Sequence, residues 1–223
     1  MPIRSKNKQH TVLIVEDHSI VRMGLSTLIS QLDDISLCSE AESGEKALEF
    51  LKNNKPDIVI VDISLRDMNG IDLIKYIKKI NSDIPILVLS VFDETFYAER
   101  AFAAGAMGYI MKQEASEVII KAIRTVLSNE IYASEKIKDR LLKKAIGKGT
   151  DIDCTALSSL TDRELQVFEL IGQGKETREI AEKLRLSVKT VDTYREHIKD
   201  KLNLKNATEL IQRASQWELT RQK

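Results

Sequence analysis

The chain is short of cysteine, aromatic residues and net charge, and each shortage closes a class of function. Its 223 residues hold two cysteines, Cys38 and Cys154, in no metal or redox spacing. They read as reduced thiols in a structural role, not as a disulfide framework or a zinc site. Aromatic residues make up 5% of a chain that is 43% hydrophobic, so an ordinary core must be aliphatic. The 34 Lys and Arg balance 34 Asp and Glu, which by itself suggests neither a nucleic acid nor a membrane surface. No apolar run approaches the ~20 residues of a membrane span. Residues 1–10 are polar and basic without an apolar core, so no signal peptide is expected and the chain reads as cytoplasmic. There is no Gly-rich nucleotide loop, kinase motif, internal repeat or low-complexity segment.

What is present is unevenly distributed. Residues 10–131 carry 12 Lys and Arg against 19 Asp and Glu, a net charge of −7, whereas 156–223 carry 13 against 11, a net of +2. The length also exceeds the usual ~100–150 residues of one domain, so two domains are expected. Five β-rich runs, at 11–15, 35–41, 57–61, 84–90 and 107–111, alternate with helical patterns near 18–31, 43–53, 69–80, 93–104 and 114–127. In the third helix Ile71, Ile74, Ile77 and Ile80 recur on one face, and Ser43 and Asn69 are candidate caps. The runs at 58–61 and 86–89 are apolar without alternation, as strands of a parallel sheet covered on both faces must be. This alternation predicts a flavodoxin-like (βα)5 domain with a parallel sheet in the order 2-1-3-4-5. We place it at 10–128.

From 129 to 156 an interdomain linker is expected, with a basic helix from about 136 and a Gly-containing break beyond it. After 157 strand patterns cease. Thr161-Asp162-Arg163-Glu164 is a capping box, Gly172-Gln173-Gly174 a stop, and a helix at 176–184 is followed by the turn Leu186-Ser187. A longer helix then runs to Leu202, and Asn206 opens a last one through about Trp217. A short helix, a tight turn and a longer helix make a helix-turn-helix, placed here in a four-helix domain at 157–220.

The polar residues just past the strand candidates carry the chemistry. Glu16 and Asp17 follow the first, Asp62 the third, Ser90 ends the fourth and Lys112 follows the fifth. In an open parallel sheet these groups gather outside the carboxyl ends of the strands, where such sheets bind ligands. Mg2+ takes two or three carboxylates plus a carbonyl and keeps several waters, so Glu16, Asp17, Asp62 and the Ser64 backbone carbonyl form a candidate set. Asp62 is then the candidate nucleophile for a phosphoryl group, with Lys112 and Ser90 neutralising or donating to its oxygens. His10, His18 and His197 are isolated. His18, beside the acidic pair, reads as a structural or minor site residue rather than a phosphodonor. In the rear segment Lys189, Arg195 and Lys199 are candidates for DNA phosphates, and Asp192, Thr193 and Glu196 for base edges.

Residues 11–127 resemble a response-regulator receiver domain through Val15-Glu16-Asp17-His18, Asp62-Ile63-Ser64-Leu65-Arg66-Asp67-Met68-Asn69-Gly70, Val88-Leu89-Ser90 and Gly105-Ala106-Met107-Gly108-Tyr109-Ile110-Met111-Lys112. The resemblance implies phosphorylation of Asp62 by a sensor histidine kinase, Mg2+ as cofactor, and Ser90 and Tyr109 as the switch pair. It departs from the family in having Glu16 for an aspartate, Arg66 for a proline and Val91 for a small residue. The last implies a longer-lived phosphoryl group. Residues 157–217 resemble LuxR-type helix-turn-helix domains through Leu160-Thr161-Asp162-Arg163-Glu164-Leu165-Gln166-Val167, Gly174-Lys175-Glu176-Thr177-Arg178-Glu179-Ile180-Ala181 and Leu186-Ser187-Val188-Lys189-Thr190-Val191. Thr190 and Tyr194 join the DNA-contact set on this ground, with Tyr194 standing where histidine is commoner. Together the two matches resemble the NarL/FixJ response regulators. They imply that phosphorylation frees the rear module from the receiver or favours a homodimer, with Leu210, Ile211 and Ala214 either the candidate dimer surface or a face that packs on the recognition helix. The implied DNA is a promoter with paired half-sites, and RNA polymerase is a further candidate partner. Two rival expectations remain. A haloacid-dehalogenase-like phosphatase would need a general acid where Ser64 stands, and a phosphorylation-independent regulator would use the receiver only for docking.

Overall fold

The structure, a computed structural model, describes residues 9–146, 157 and 159–221. The basic 1–8, Cys154 and the 147–156 part of the expected linker lie outside the described residues. The chain divides into two compact units, one ending at Leu141 and one beginning at Leu142.

The first unit alternates β1 (His10–Val15), α1 (Ser19–Ser30), β2 (Ile35–Ala41), α2 (Gly44–Leu51), β3 (Ile58–Val61), α3 (Gly70–Ile80), β4 (Ile86–Ser90), α4 (Glu94–Ala104), β5 (Gly108–Met111) and α5 (Ser116–Leu127). The sheet is parallel, in the order β2-β1-β3-β4-β5. Strand residues alternate between its faces. Val12, Ile14, Ile58, Ile60, Leu87, Leu89 and Ile110 pack with Leu25 and Ile29 of α1 and Ile119, Ala122, Ile123 and Val126 of α5. The opposite residues, Leu13, Val15, Val59, Val61, Ile86 and Val88, are equally buried, with α2, α3 and α4 adjoining one another in series. The uninterrupted apolar runs follow from this two-sided cover.

Local signals behave as their chemistry requires. The Ser43 side chain accepts from Lys46 N and that of Asn69 from Ile71 N, capping α2 and α3. The three-residue isoleucine repeat of α3 holds for Ile71, Ile74 and Ile77, which are buried, but Ile80 is half exposed. Each step of three falls ~60° short of a full turn, so the stripe rotates out of the core.

The segment expected to be a linker begins as part of the first unit. Tyr132 bridges to Gly108 of β5, and Ala133 and Ile137 are buried. The helix α6 (Glu135–Ala145) is fastened to α4: Ser134 Oγ donates to Glu94 Oε1 at 2.7 Å, and Arg140 Nη1 donates to the Thr95 carbonyl at 2.6 Å.

The second unit contains α7 (Asp162–Gly172), α8 (Thr177–Leu184), α9 (Val188–Leu202) and α10 (Ala207–Arg221). The capping box is formed, with Thr161 accepting from Glu164 N and Glu164 returning to Thr161 N. Glu164 is buried and also meets Lys201 of α9 at 2.6 Å. Burial pushes its carboxyl pKa up, but Lys201 and the Thr161 bonds outweigh this and hold it below the usual value. Helix α10 continues four residues past the expected stop at Trp217, because Trp217 itself belongs to the core, its ring centroid 5.5 Å from that of Phe168. At Gly172 a Cβ would lie 2.6 Å from the Ala214 carbonyl oxygen, so the close approach of α7 and α10 depends on a glycine there.

Candidate phosphoryl-acceptor site and nucleic-acid interface

The ladder of the sheet continues one residue past its strands and thereby places the site. Glu16 N donates to the Ala41 carbonyl at 3.0 Å, Asp62 N to Val15 at 2.9 Å, and Lys112 N to Ser90 at 2.8 Å. These bonds extend the ends of all five strands along one edge of the sheet, which includes the point where the strand order reverses, the usual ligand crevice of such sheets. Glu16, Asp17, Asp62 and Ser90 are buried there. Ser64 is half buried in the loop after β3.

The Lys112 ammonium links two of the carboxylates, 2.6 Å from Glu16 Oε2 and 2.9 Å from Asp62 Oδ2. These are ion pairs rather than aligned hydrogen bonds, and Asp62 Oδ1 is buried with no hydrogen-bond partner. Burial raises the Asp62 pKa from 3.8 to about 6. Lys112 opposes that rise, Glu16 adds to it, and the Ser64 backbone favours the charged form. Burial also disfavours the Lys112 ammonium, but Asp62 and Glu16 more than compensate and its pKa is raised. Three buried carboxylates thus face the Lys112 ammonium, at Glu16 and Asp62, and the Arg66 guanidinium, at Asp17, which still leaves an excess of negative charge that a divalent cation would neutralise. Among the described residues Glu16, Asp17, His18 and Asp62 offer ligand atoms within 4.8 Å of one another. The donor set, mostly carboxylate with one unpartnered buried oxygen, fits a hard cation such as Mg2+.

The sequence named His18 as a structural or minor site residue without its partners, and Arg66 only as a departure from the family. Arg66 Nε lies 3.4 Å from Asp17 Oδ2, and His18 Nδ1 lies 3.0 Å from Glu16 Oε1 and 2.8 Å from Asp17 Oδ1. Their signal was adjacency: both are cations or potential cations in the loops that carry the acids. The loop after Asp62 is itself anchored, since Asp67 accepts from Gly44 N at 3.0 Å and Glu45 N at 2.8 Å at the start of α2.

Ser90 and Tyr109, the expected switch pair, are joined through one residue. Ser90 Oγ accepts from Phe92 N at 3.2 Å, and Tyr109 Oη donates to the Phe92 carbonyl at 2.8 Å. Tyr109 is fully buried rather than a half-buried strand aromatic. The Phe92 ring lies 4.9 Å from that of Tyr97 in α4. A change at Ser90 or Tyr109 thus acts on the backbone that leads into α4.

In the second unit, Ser187 caps α9 by accepting from Thr190 N, and Arg185 closes α8 in the left-handed region at φ 54°. Val191 and Ile198 face the unit's core. Lys189, Asp192, Thr193 and Glu196 lie exposed along the opposite side, at the 3- and 4-residue spacing of one helix face. Thr190, Tyr194, Arg195 and Lys199 are half buried. Arg195 Nη1 reaches Thr177 Oγ1 at 3.5 Å and Lys199 Nζ meets Glu196 Oε2 at 2.8 Å. An exposed polar face on the second helix of this motif is the part that enters a major groove.

The candidate dimer surface needs correction. Leu210 and Ala214 are fully buried inside the unit's own core, and only Ile211 is exposed, at 46%. Positions 210 and 214 are one turn apart on the face that packs on α7, whereas 211 points a hundred degrees away.

Comparison with known proteins agrees with this architecture. The family model for the response regulator receiver domain matches residues 12–124, and that for bacterial regulatory proteins of the luxR family matches 158–214. The oxygen regulatory protein NreC of Staphylococcus carnosus is 34% identical over 207 residues, covering 91% of this chain and 95% of that protein. The response regulator UvrY of Escherichia coli is 33% identical, covering 89% and 90%. Among solved structures, RcsB of Salmonella enterica serovar Typhimurium bound to promoter rprA with the phosphomimetic BeF3− aligns with a TM-score of 0.60 and 27% identity, covering 93% of this chain and 99% of that one.

Proposed function

The chain belongs to the NarL/FixJ response regulators, DNA-binding transcription regulators of two-component systems and not enzymes, and from that premise we propose that Asp62 is its phosphoryl acceptor and the switch for DNA binding. The observation that carries the reading is the buried Asp62 carboxylate at the carboxyl edge of the sheet, its Oδ2 2.9 Å from the Lys112 ammonium and its Oδ1 without a hydrogen-bond partner. The donor is the phosphohistidine of a sensor histidine kinase, because this chain has no nucleotide loop of its own. An Asp62 oxygen forms the O–P bond, the donor's N–P bond breaks, and the imidazole leaves with a proton from solvent. Mg2+, held by Glu16, Asp17, Asp62 and the Ser64 carbonyl, would neutralise charge on the phosphoryl oxygens. Lys112 donates to one of those oxygens and so exchanges its two carboxylate partners for the new anion. The Ser90 hydroxyl, whose hydrogen is not needed for its bond from Phe92, donates to another.

The signal then passes by Phe92 to α4. Both Ser90 and Tyr109 hold the Phe92 backbone, so turning Ser90 toward the phosphoryl group resets the start of α4. We assign 10–128 to the receiver, 129–156 to the connection and 157–220 to the DNA-binding module, all acting in the cytoplasm. No helix among the described residues is long and apolar enough to cross a membrane. The phosphorylated chain binds promoter half-sites as a homodimer, with Ile211 as the remaining exposed member of the dimer set, and RNA polymerase is its further candidate partner. Lys189, Arg195 and Lys199 contact phosphates, Asp192, Thr193 and Glu196 read base edges, and Thr190 and Tyr194 support the backbone contacts.

The test is selection of duplexes from a random pool, then affinity with and without acetyl phosphate. Wild type binds the selected sequences more tightly once phosphorylated, and Asp62→Ala binds them equally under both conditions. Equal binding by wild type would leave the phosphorylation-independent regulator as the better reading.

A further inference from the structure

His18 has no task in the account above. It occupies the N-cap of α1, a position where a short polar side chain usually caps, yet its side chain makes no capping bond. The ring turns back on the acidic pair instead, with Nδ1 at 3.0 Å from Glu16 Oε1 and 2.8 Å from Asp17 Oδ1. The His18 backbone N–H donates to the same Glu16 oxygen at 3.0 Å, which braces that carboxylate against the ring. Small divalent ions hold their ligands at ~2.1 Å, which separates neighbouring ligand atoms by ~3.0 Å. The spacing of Nδ1 from the two acid oxygens already matches that figure. A carboxylate oxygen of Asp62 belongs to the same group of ligand atoms, and the buried Asp62 Oδ1, which has no hydrogen-bond partner, independently marks a missing one.

We propose that His18 Nδ1 is a nitrogen ligand of the cation held by Glu16, Asp17 and Asp62, and that it shifts the site's preference from Mg2+ toward Mn2+ and the later divalent transition metals. The inference rests on reading these carboxylates as the cation site. Mg2+ takes oxygen ligands and keeps its waters, whereas imidazole nitrogen suits the transition metals. An Nδ1 that binds the ion carries no proton, so the ring hydrogen then sits on Nε2. The ring is 47% exposed, which leaves it open to solvent.

The experiment uses the full chain with Mn2+ and Mg2+ as probes. Pulsed electron paramagnetic resonance of bound Mn2+ reads nitrogen coupling, and calorimetry reads both affinities for wild type, His18→Ala, His18→Asn and Asp17→Asn. Wild type shows a nitrogen coupling that both His18 variants lose. Their Mn2+ to Mg2+ affinity ratio falls at least ~10-fold, as expected for loss of a ligand. His18→Asn restores a capping side chain, so agreement of the two variants separates ligation from helix stability. Mn2+ bound by wild type without nitrogen coupling, or with a coupling that survives in His18→Ala, overturns the proposal. If Asp17→Asn then abolishes binding, the carboxylate site itself stands. Failure of folded wild type to bind either ion overturns both the proposal and the reading beneath it.

Discussion

At the scale of single residues, the site is a set of side chains whose positions are owed to backbone groups. Gly70 is the clearest case. A Cβ there would overlap the Asp62 carbonyl oxygen and lie 2.6 Å from Ile63 Cα, so α3 can begin against the acceptor loop only with glycine. Gly70→Ala should destabilise the receiver by about 2 kcal/mol, the usual cost of an extra carbon in a packed place. It should also slow phosphoryl incorporation, because the loop that must move carries Asp62. Urea denaturation and the rate of labelling check the two effects. The acids, Ser90 and Lys112 were legible from sequence because each abuts an apolar run, and a run that ends at a sheet edge leaves its next residue at the crevice. The roles of His18 and Arg66 were not legible, because they depend on which way a loop side chain turns. The sequence also left Tyr109 between an inward switch and a half-buried strand aromatic. The structure buries it fully and bonds its hydroxyl to the Phe92 carbonyl, while its role as a switch is part of the proposal above.

Among the elements, periodic pattern was readable and packing direction was not. Every expected strand and helix of the described residues is present, because strand runs and helix caps are local signals. The last helix is different. Leu210, Ile211 and Ala214 are three apolar residues in one turn, and nothing in the sequence tells which of them faces α7. The structure does: Leu210 and Ala214 are fully buried and Ile211 is exposed. Leu210→Glu should therefore unfold the module, at a cost above ~4 kcal/mol for a buried unpaired charge. Ile211→Glu should change stability by less than ~0.5 kcal/mol, as exposed substitutions do, and weaken binding to paired half-sites. Thermal unfolding of the two variants beside paired-site and single-site affinities gives the comparison. If Ile211→Glu leaves paired-site binding intact, the dimer surface lies elsewhere. The same limit applies to α6. Its basic, amphipathic sequence suggested a linker helix, but its attachment to α4 through Ser134 and Arg140 rests on polar contacts that no periodicity records.

On the scale of the whole molecule, the two units divide the chemistry by charge. The front segment, 10–131, has a net charge of −7 and contains the acidic cluster, whereas 156–223 has a net of only +2 and carries the helix-turn-helix. A module with so little excess positive charge gains little from non-specific attraction to phosphates. Useful affinity would then depend on base contacts and on joining two modules, and the dimerisation proposed above to follow phosphorylation would supply the second. That account stands or falls on the acceptor. The most direct measurement is the intact mass of the full chain after incubation with Mg2+ and acetyl phosphate, for wild type and Asp62→Ala. The account predicts one added phosphoryl group on wild type and none on the variant. No addition to folded wild type, or an equal addition to Asp62→Ala, would contradict it.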